Sequence, residues 1–206
     1  MLAPVAPDIR HSRGGRPRDP SRDGVIRAAI LRLLADVGYS ALTMDAVASE
    51  AGVGKATIYR RWRTKEELVV DTVSELNAVE AEPVDTGSVE GDLRALTHAM
   101  VGLVTSPAGA ATQALLSSMH HQPALAQAFR DGPLAVWHVA FDQMWARAEQ
   151  RGEVPPGIAR SLVAEAISAP VVQRWLVNGE PVDSALADAV VDEVALPLLR
   201  AHGARV

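Results

Sequence analysis

Thr43 to Lys65, TMDAVASEAGVGKATIYRRWRTK, is the stretch from which the rest of the chain is read. Thr43 has the hydroxyl of a helix N-cap, and Asp45 stands in the first turn, where the helix dipole favours a negative charge. Met44, Val47 and Ala48 then recur at the spacing of one buried helical face. Gly52 falls where a helix stops with a positive φ that glycine adopts cheaply, and Val53-Gly54 completes a turn short enough to set two helices at a steep angle. A second helix is predicted from Lys55. Ile58 and Trp62, four apart, anchor it inward and leave Lys55, Thr57, Tyr59, Arg60 and Arg61 to face outward.

That outward set suits a DNA groove: cations for phosphate and guanine edges, a hydroxyl for phosphate, and a phenol that reaches backbone or a thymine methyl. From about Ser21 to Leu68 the chain resembles the DNA-binding domain of the tetracycline repressor (TetR) family of bacterial transcription regulators. The family pattern T-x-x-x-[IV]-A-x-x-A-G-V-[SG]-x-x-[TS]-[IL]-Y-x-[HR]-[FW]-x-[ST]-K is met at Thr43, Val47, Ala48, Ala51, Gly52, Val53, Gly54, Thr57, Ile58, Tyr59, Arg61, Trp62, Thr64 and Lys65. The resemblance implies DNA contacts at Thr43, Lys55, Thr57, Tyr59, Arg60, Arg61 and Lys65, with Ala56 as the small residue where the helix comes close to the groove. The plain reading of the same residues is a helical hairpin with a charged face.

Charge is divided along the chain in the way such a function needs. The net charge is -5, yet residues 1–65 hold 12 Lys and Arg against 6 Asp and Glu, and residues 66–206 hold 8 against 19. A basic head on an acidic body directs polyanions to one end of the molecule. Hydrophobic residues make up 48% of the chain, ample for a core. No apolar run approaches the roughly 20 residues of a membrane span, and the N-terminus has no signal-peptide centre, so a cytoplasmic protein without a membrane partner is expected. Cysteine is absent, which excludes disulfides and thiolate metal sites.

Residues 1–18 are rich in Pro, Gly and Arg and read as a flexible basic arm. Within it Gly15-Arg16-Pro17-Arg18 resembles the core of a minor-groove AT-hook, so Arg16 and Arg18 are either minor-groove contacts or part of an undirected cationic tail. Residues 19–65 are the expected DNA-binding domain. Asp19-Pro20 caps a supporting helix whose face is Ile26, Ala29, Ile30, Leu33, Leu34 and Val37, up to Gly38. Thr64-Lys65-Glu66-Glu67 reads as a capping box opening a long helix through Leu68, Val69, Val73, Leu76 and Val79, with Lys65 toward the DNA. Residues 66–206 are the expected helical effector-binding and dimerisation domain. Breakers place its helices at 90–105, 108–121, 123–130, 133–151, 157–178 and 182–201, with Pro170 and Pro197 kinking or interrupting the last two. The fold class is therefore all-α: a three-helix DNA-binding head and a helical body.

Catalytic signatures are missing. Gly52 to Thr57 falls short of a phosphate loop, because Ser49 and Ala56 stand where a glycine and a hydroxyl are required. There is no G-x-S-x-G elbow and no H-E-x-x-H pair. His120 and His121 are adjacent on a predicted helix and point about 100° apart, so they do not chelate one metal. No cofactor and no metal are expected, and an enzyme is the remote reading. Leu134, Trp137, Phe141, Met144, Trp145 and Ala148 form an apolar stripe flanked by His138. It reads either as core or as the wall of an effector cavity near Met119, Trp137, His138, Phe141 and Trp145, between the 108–121 and 133–151 helices. The acidic body leaves room for a cationic group, with Asp142 and Glu149 as possible partners.

The resemblance implies a homodimeric regulator, a repressor that leaves a palindromic double-stranded operator when a small apolar or cationic effector binds. Leu162, Ala166, Ile167, Val171 and Trp175 on one late helix, with Leu186, Val190, Val194 and Leu198 on the next, are the expected dimer face. The competing reading is an architectural DNA-binding protein without effector switching.

Overall fold

The computed structural model describes residues 20–81 and 84–206, with side chains from residue 23 onward, and shows helices and no strand among them. The basic arm with Arg16 and Arg18, the Asp19 cap, and Glu82 and Pro83 of the predicted connection lie outside the described residues.

The head is built from α1 (Pro20–Ala41), α2 (Met44–Glu50), α3 (Lys55–Tyr59) and the start of α4 (Lys65–Glu80). Ile26, Ala29, Ile30 and Leu34 bury the α1 face expected of them, each contributing about 1.5–3 kcal/mol for the larger side chains. Val37 does not follow: it is exposed, because Gly38 breaks the helix at φ 72° and turns Tyr39 inward in its place. Thr43 caps α2 by accepting the Ala46 N–H at 3.1 Å, and Gly52 takes φ 62° in the turn. Thr64 caps α4 from the Glu67 N–H, while the Glu67 carboxylate accepts from the Arg63 N–H at 2.7 Å, one residue upstream of the cap. Val79, expected on the inner face of α4, is 70% exposed, and Asn77 is buried instead.

The body holds α5 (Val89–Thr105), α6 (Pro107–Met119), α7 (Pro123–Phe129), α8 (Ala135–Gln150), α9 (Leu162–Gln173), α10 (Ser184–Ala189) and α11 (Leu196–Ala201). Three wide π-helical segments, Arg130–Leu134, Arg174–Asn178 and Val190–Ala195, follow α7, α9 and α10 directly. Pro133 therefore opens no new helix; it sits in the first π segment, where the widened turn takes the proline that an α-turn rejects. Pro170 is carried inside α9, and Pro197 stands in the first turn of α11. The helix expected from residue 157 starts later: Gly157, at φ 86°, leads into a single 3-10 turn, Ile158–Arg160, before α9.

Two apolar cores hold these helices. One joins the head to α6 and α7, with Ile30, Leu34, Ile58, Trp62, Leu68 and Val73 packed in the same cluster as Ala111, Leu115, Leu125 and Phe129. The other gathers α5, α8, α9, α10 and α11 around Leu93, Met144, Trp145, Ile167 and Val191, and takes in Ala81 just past the end of α4. In the first turn of α5, Asp92 is fully buried. It accepts from the Thr86 N–H and hydroxyl at 2.7 Å each and from Arg151 at 3.1 Å. Burial alone would raise its pKa, but the two Thr86 bonds and the Arg151 bond and charge outweigh it and hold the carboxyl below the usual range.

Candidate nucleic-acid interface

The second helix of the motif, α3, is short, so its orientation depends on what it is fastened to. Ile58 is fully buried and Trp62 nearly so, while the Trp62 indole N–H donates to the Asp71 carboxylate of α4 at 2.9 Å. With those anchors inward, Lys55, Ala56, Tyr59 and Arg60 are exposed along one side and Thr57 is half-buried among them. Thr43, at the N-cap of α2, is exposed as well.

The cations of this surface fall into three states. Arg60 and Arg63 are exposed with no carboxylate partner among the described residues. Lys55 bonds the Asp45 carboxylate of α2 at 2.6 Å, and that bond raises its pKa. Arg61 stays exposed and Lys65 half-buried, yet both also hold partners on the protein itself. Arg61 pairs with Asp23 of α1, approaches Asp71 at 3.7 Å, and stacks over the Trp62 ring, 4.5 Å from its centre. Lys65 donates to the Tyr39 carbonyl at 3.0 Å and sits 4.3 Å from the centre of the Tyr39 ring. Both geometries fit cation–π contacts with partly desolvated cations.

Tyr39 closes the joint between α1 and α4. Its hydroxyl donates to Glu66 at 2.8 Å; burial first, then the bond and charge of Glu66, push the phenol far above its usual range. Glu66 shifts the other way. Burial opposes its ionisation, yet its own backbone N–H, the Tyr39 and Thr64 hydroxyls and Lys65 hold it below the ordinary carboxylate value. Asp23, Tyr39, Asp71 and Arg63 are the residues that sequence reasoning missed. For Arg63 the signal was the basic run from Arg60; the others are tertiary partners that periodicity does not mark.

In the body, a cleft of about 760 Å³ lies between α8 and the start of α9, rather than between the α6 and α8 helices expected to flank it. His138, Phe141 and Trp145 line it, together with Asp142 and Glu165. Trp137 and Met119 do not. Trp137 turns to α4, donating its indole N–H to Asn77 at 2.6 Å, and Met119 packs on the head-side core. Glu149 accepts from the Gly157 N–H at 2.8 Å and is a structural cap, not a wall of the cleft. The expected dimer face also splits. Ile167, Val171, Leu186 and Val190 are buried in the core of their own protomer, so they are corrected out of that face. Ala166, Trp175, Val194 and Leu198 are half-buried, and Leu162 is 78% exposed. The inward turn of Ile167 and Val171 leaves Leu162, Val172 and Val177 as the exposed apolar residues of this region.

Comparison with known proteins agrees with this architecture. Residues 26–72 match the model described as bacterial regulatory proteins, tetR family, and residues 83–194 match the tetracyclin repressor-like C-terminal domain. The chain is 33% identical over 193 residues to a DNA-binding transcriptional repressor TetR of Mycobacteroides abscessus, covering 91% of this chain and 98% of that protein. It is 31% identical over 188 residues to an HTH-type transcriptional regulator of Mycobacterium tuberculosis, covering 89% and 93%. A crystal structure of a TetR family transcription regulator superimposes with a TM-score of 0.68 at 27% identity, over 85% of this chain and 97% of that one. The pinned reading helix, the all-helical body and both family matches give one conclusion: the chain belongs to the TetR family of helix-turn-helix, DNA-binding transcriptional regulators.

Proposed function

We propose that the protein is a homodimeric repressor in the cytoplasm that binds a palindromic operator through α3 and leaves it when a small effector binds. Residues 19–65 act as the reading head and 66–206 as the regulatory body. The observation that carries the reading is the exposed row Lys55, Ala56, Tyr59 and Arg60, with half-buried Thr57 among them, on a helix fixed from behind by Ile58 and Trp62. Thr43 adds a hydroxyl for phosphate beside that row. Arg61 and Lys65 serve chiefly to hold the head together, and each reaches DNA only by giving up its internal partners.

One head makes few contacts, and two-fold pairing doubles them. The second copy docks on the remaining members of the expected face, Leu162, Ala166, Trp175, Val194 and Leu198, which the core of the protomer leaves partly or fully exposed. The effector is a small apolar or cationic molecule; Phe141 with Asp142 and Glu165 in the α8–α9 cleft supplies aromatic surface and negative charge for it.

Selection of duplexes from a random pool, followed by footprinting and sedimentation, tests the reading. Two half-sites about 34 Å apart or a little more, bound by a dimer, are expected. A monomer on a lone non-palindromic site would overturn it. Binding without sequence preference would assign the protein to the architectural class instead.

A further inference from the structure

The two apolar cores do not meet where the head ends in sequence. The head-side core includes α6 and α7, so the unit that carries the reading helix is larger than residues 19–65. The chain crosses from one core to the other at three places: within α4 beyond Val73, in α6 between Ala108 and Ala111 just past its 74° bend with α5, and between Phe129 and Trp137, a stretch that contains the π segment Arg130–Leu134. Up to that crossing α4 is tied to the head by polar contacts on three successive turns, Glu66 to Tyr39, Asp71 to Trp62 and Glu75 to Arg27. Whatever rotates α4 there rotates the head with it.

Among the described residues, one side-chain hydrogen bond fastens the crossing in α4 to α8. Asn77, 3% exposed, accepts the Trp137 indole N–H at 2.6 Å and donates its own amide N–H back to the Val73 carbonyl at 2.7 Å. The back-bond fixes the amide rotamer, so the indole finds its acceptor at one rotation of α4 against α8. Apolar packing alone tolerates several. One turn earlier α4 closely approaches the π segment that precedes α8: a Cβ on Gly132 would stand 2.5 Å from the Ser74 hydroxyl. On the adjoining face of α8, His138 and Phe141 line the cleft toward α9. A shift of α8 at the cleft is therefore felt at Trp137.

We infer that Asn77 and Trp137 are a positioning pair that sets the tilt of α4, and with it the head, α6 and α7 as one body. This rests on the regulator reading above for its consequence at DNA, but not for its geometry. Losing one partner leaves a buried donor or acceptor unsatisfied, whereas replacing both by apolar groups is nearly neutral for folding. The test therefore uses the double variant Asn77→Leu/Trp137→Phe beside the single Asn77→Leu.

The chain has no cysteine, so Asp36→Cys and Glu193→Cys place spin labels on the head and on the far body alone. Pulsed electron paramagnetic resonance, on labelled chain diluted with unlabelled chain, reads the distance between them. The double variant is expected to keep a thermal midpoint near that of the parent, to broaden or move the distance distribution, and to bind the duplex selected by the parent about tenfold more weakly, within the usual range of allosteric coupling. A folded double variant with the parental distribution and affinity overturns the inference, as does one whose distribution changes only where circular dichroism shows unfolding. If the parent selects no duplex, the regulator reading fails by itself, and the distance distribution alone decides the positioning role.

Discussion

The arginines beside α3 and those packed around α5 in the body do opposite work. In the body Arg94 is surrounded by Glu90, Asp188 and Asp192, and Arg147 and Arg151 share the buried Asp92 with Asp85 and Glu153 nearby. The Asp192 and Glu90 bonds drive the Arg94 pKa still higher, so these guanidiniums are fixed charges whose field is cancelled at short range. On the head, Arg60 and Arg63 present their charge to solvent with no such partner among the described residues. Arg61 belongs to the first class by its partners and to the second by its position. What makes a polyanion face is thus uncompensated charge, not the number of basic residues.

The largest effect should come from the body. Asp92→Asn leaves two guanidiniums facing a neutral amide in a buried site, and should destabilise the protein by about 3 kcal/mol in urea unfolding while leaving DNA contacts intact. Because the folded pKa values of Asp92 and Glu66 are depressed, their contribution is complete above the unfolded carboxylate pKa and is lost as pH falls through the folded values. Stability should accordingly drop as pH is lowered below about 4, and Asp92→Asn should flatten that drop. A variant as stable as the parent at neutral pH would show that the buried carboxylate is not what joins α5 to α8.

The next effect is on the head. Arg60→Ala should weaken operator binding by about 1–3 kcal/mol if it reads a base, or lower the salt dependence by about one counterion if it meets phosphate, with the melting curve unchanged. Arg61→Ala should do the reverse, costing about 1 kcal/mol or less of stability and weakening DNA binding less than Arg60→Ala does. Equal loss of affinity in both, measured at one salt concentration, would erase the distinction between free and compensated arginines. The smallest effect sharpens it: Asp45→Asn releases Lys55 and removes a negative charge beside the groove, so affinity should rise about threefold, within the range of an exposed ion pair.

How far these differences were legible depends on what each region encodes locally. Helix caps, the Gly52 turn and the buried anchors Ile58 and Trp62 are determined by neighbours within four residues, and the expected helix pair of the motif stands where its spacing placed it. The ties of Arg61 and Lys65 to the protein were not legible, because their partners, Asp23, Asp71 and Tyr39, come from other helices. In the body, Ile167 and Val171 have the same apolar character and spacing as a dimer face would, and only the packing of α9 on its neighbours decides that they turn inward. The cleft moved for the same reason: the α8 stripe has two aromatic sides, and periodicity does not say which one meets α4 and which meets α9.

The π segment Val190–Ala195 has a further consequence for the last helical run. Ala187, Val191, Ala195 and Leu199 are all fully buried, a strict repeat of four residues. At about 100° per residue, three steps of four carry an α-helix about 120° out of phase, so such a repeat would wind off any flat contact surface. A turn widened by one residue removes about 100° of that drift and brings the four side chains back into line. Regularising this segment to an α-helix with every residue kept would turn Leu199 about 100° away from the core that it fills, whereas deleting one residue would leave it facing inward.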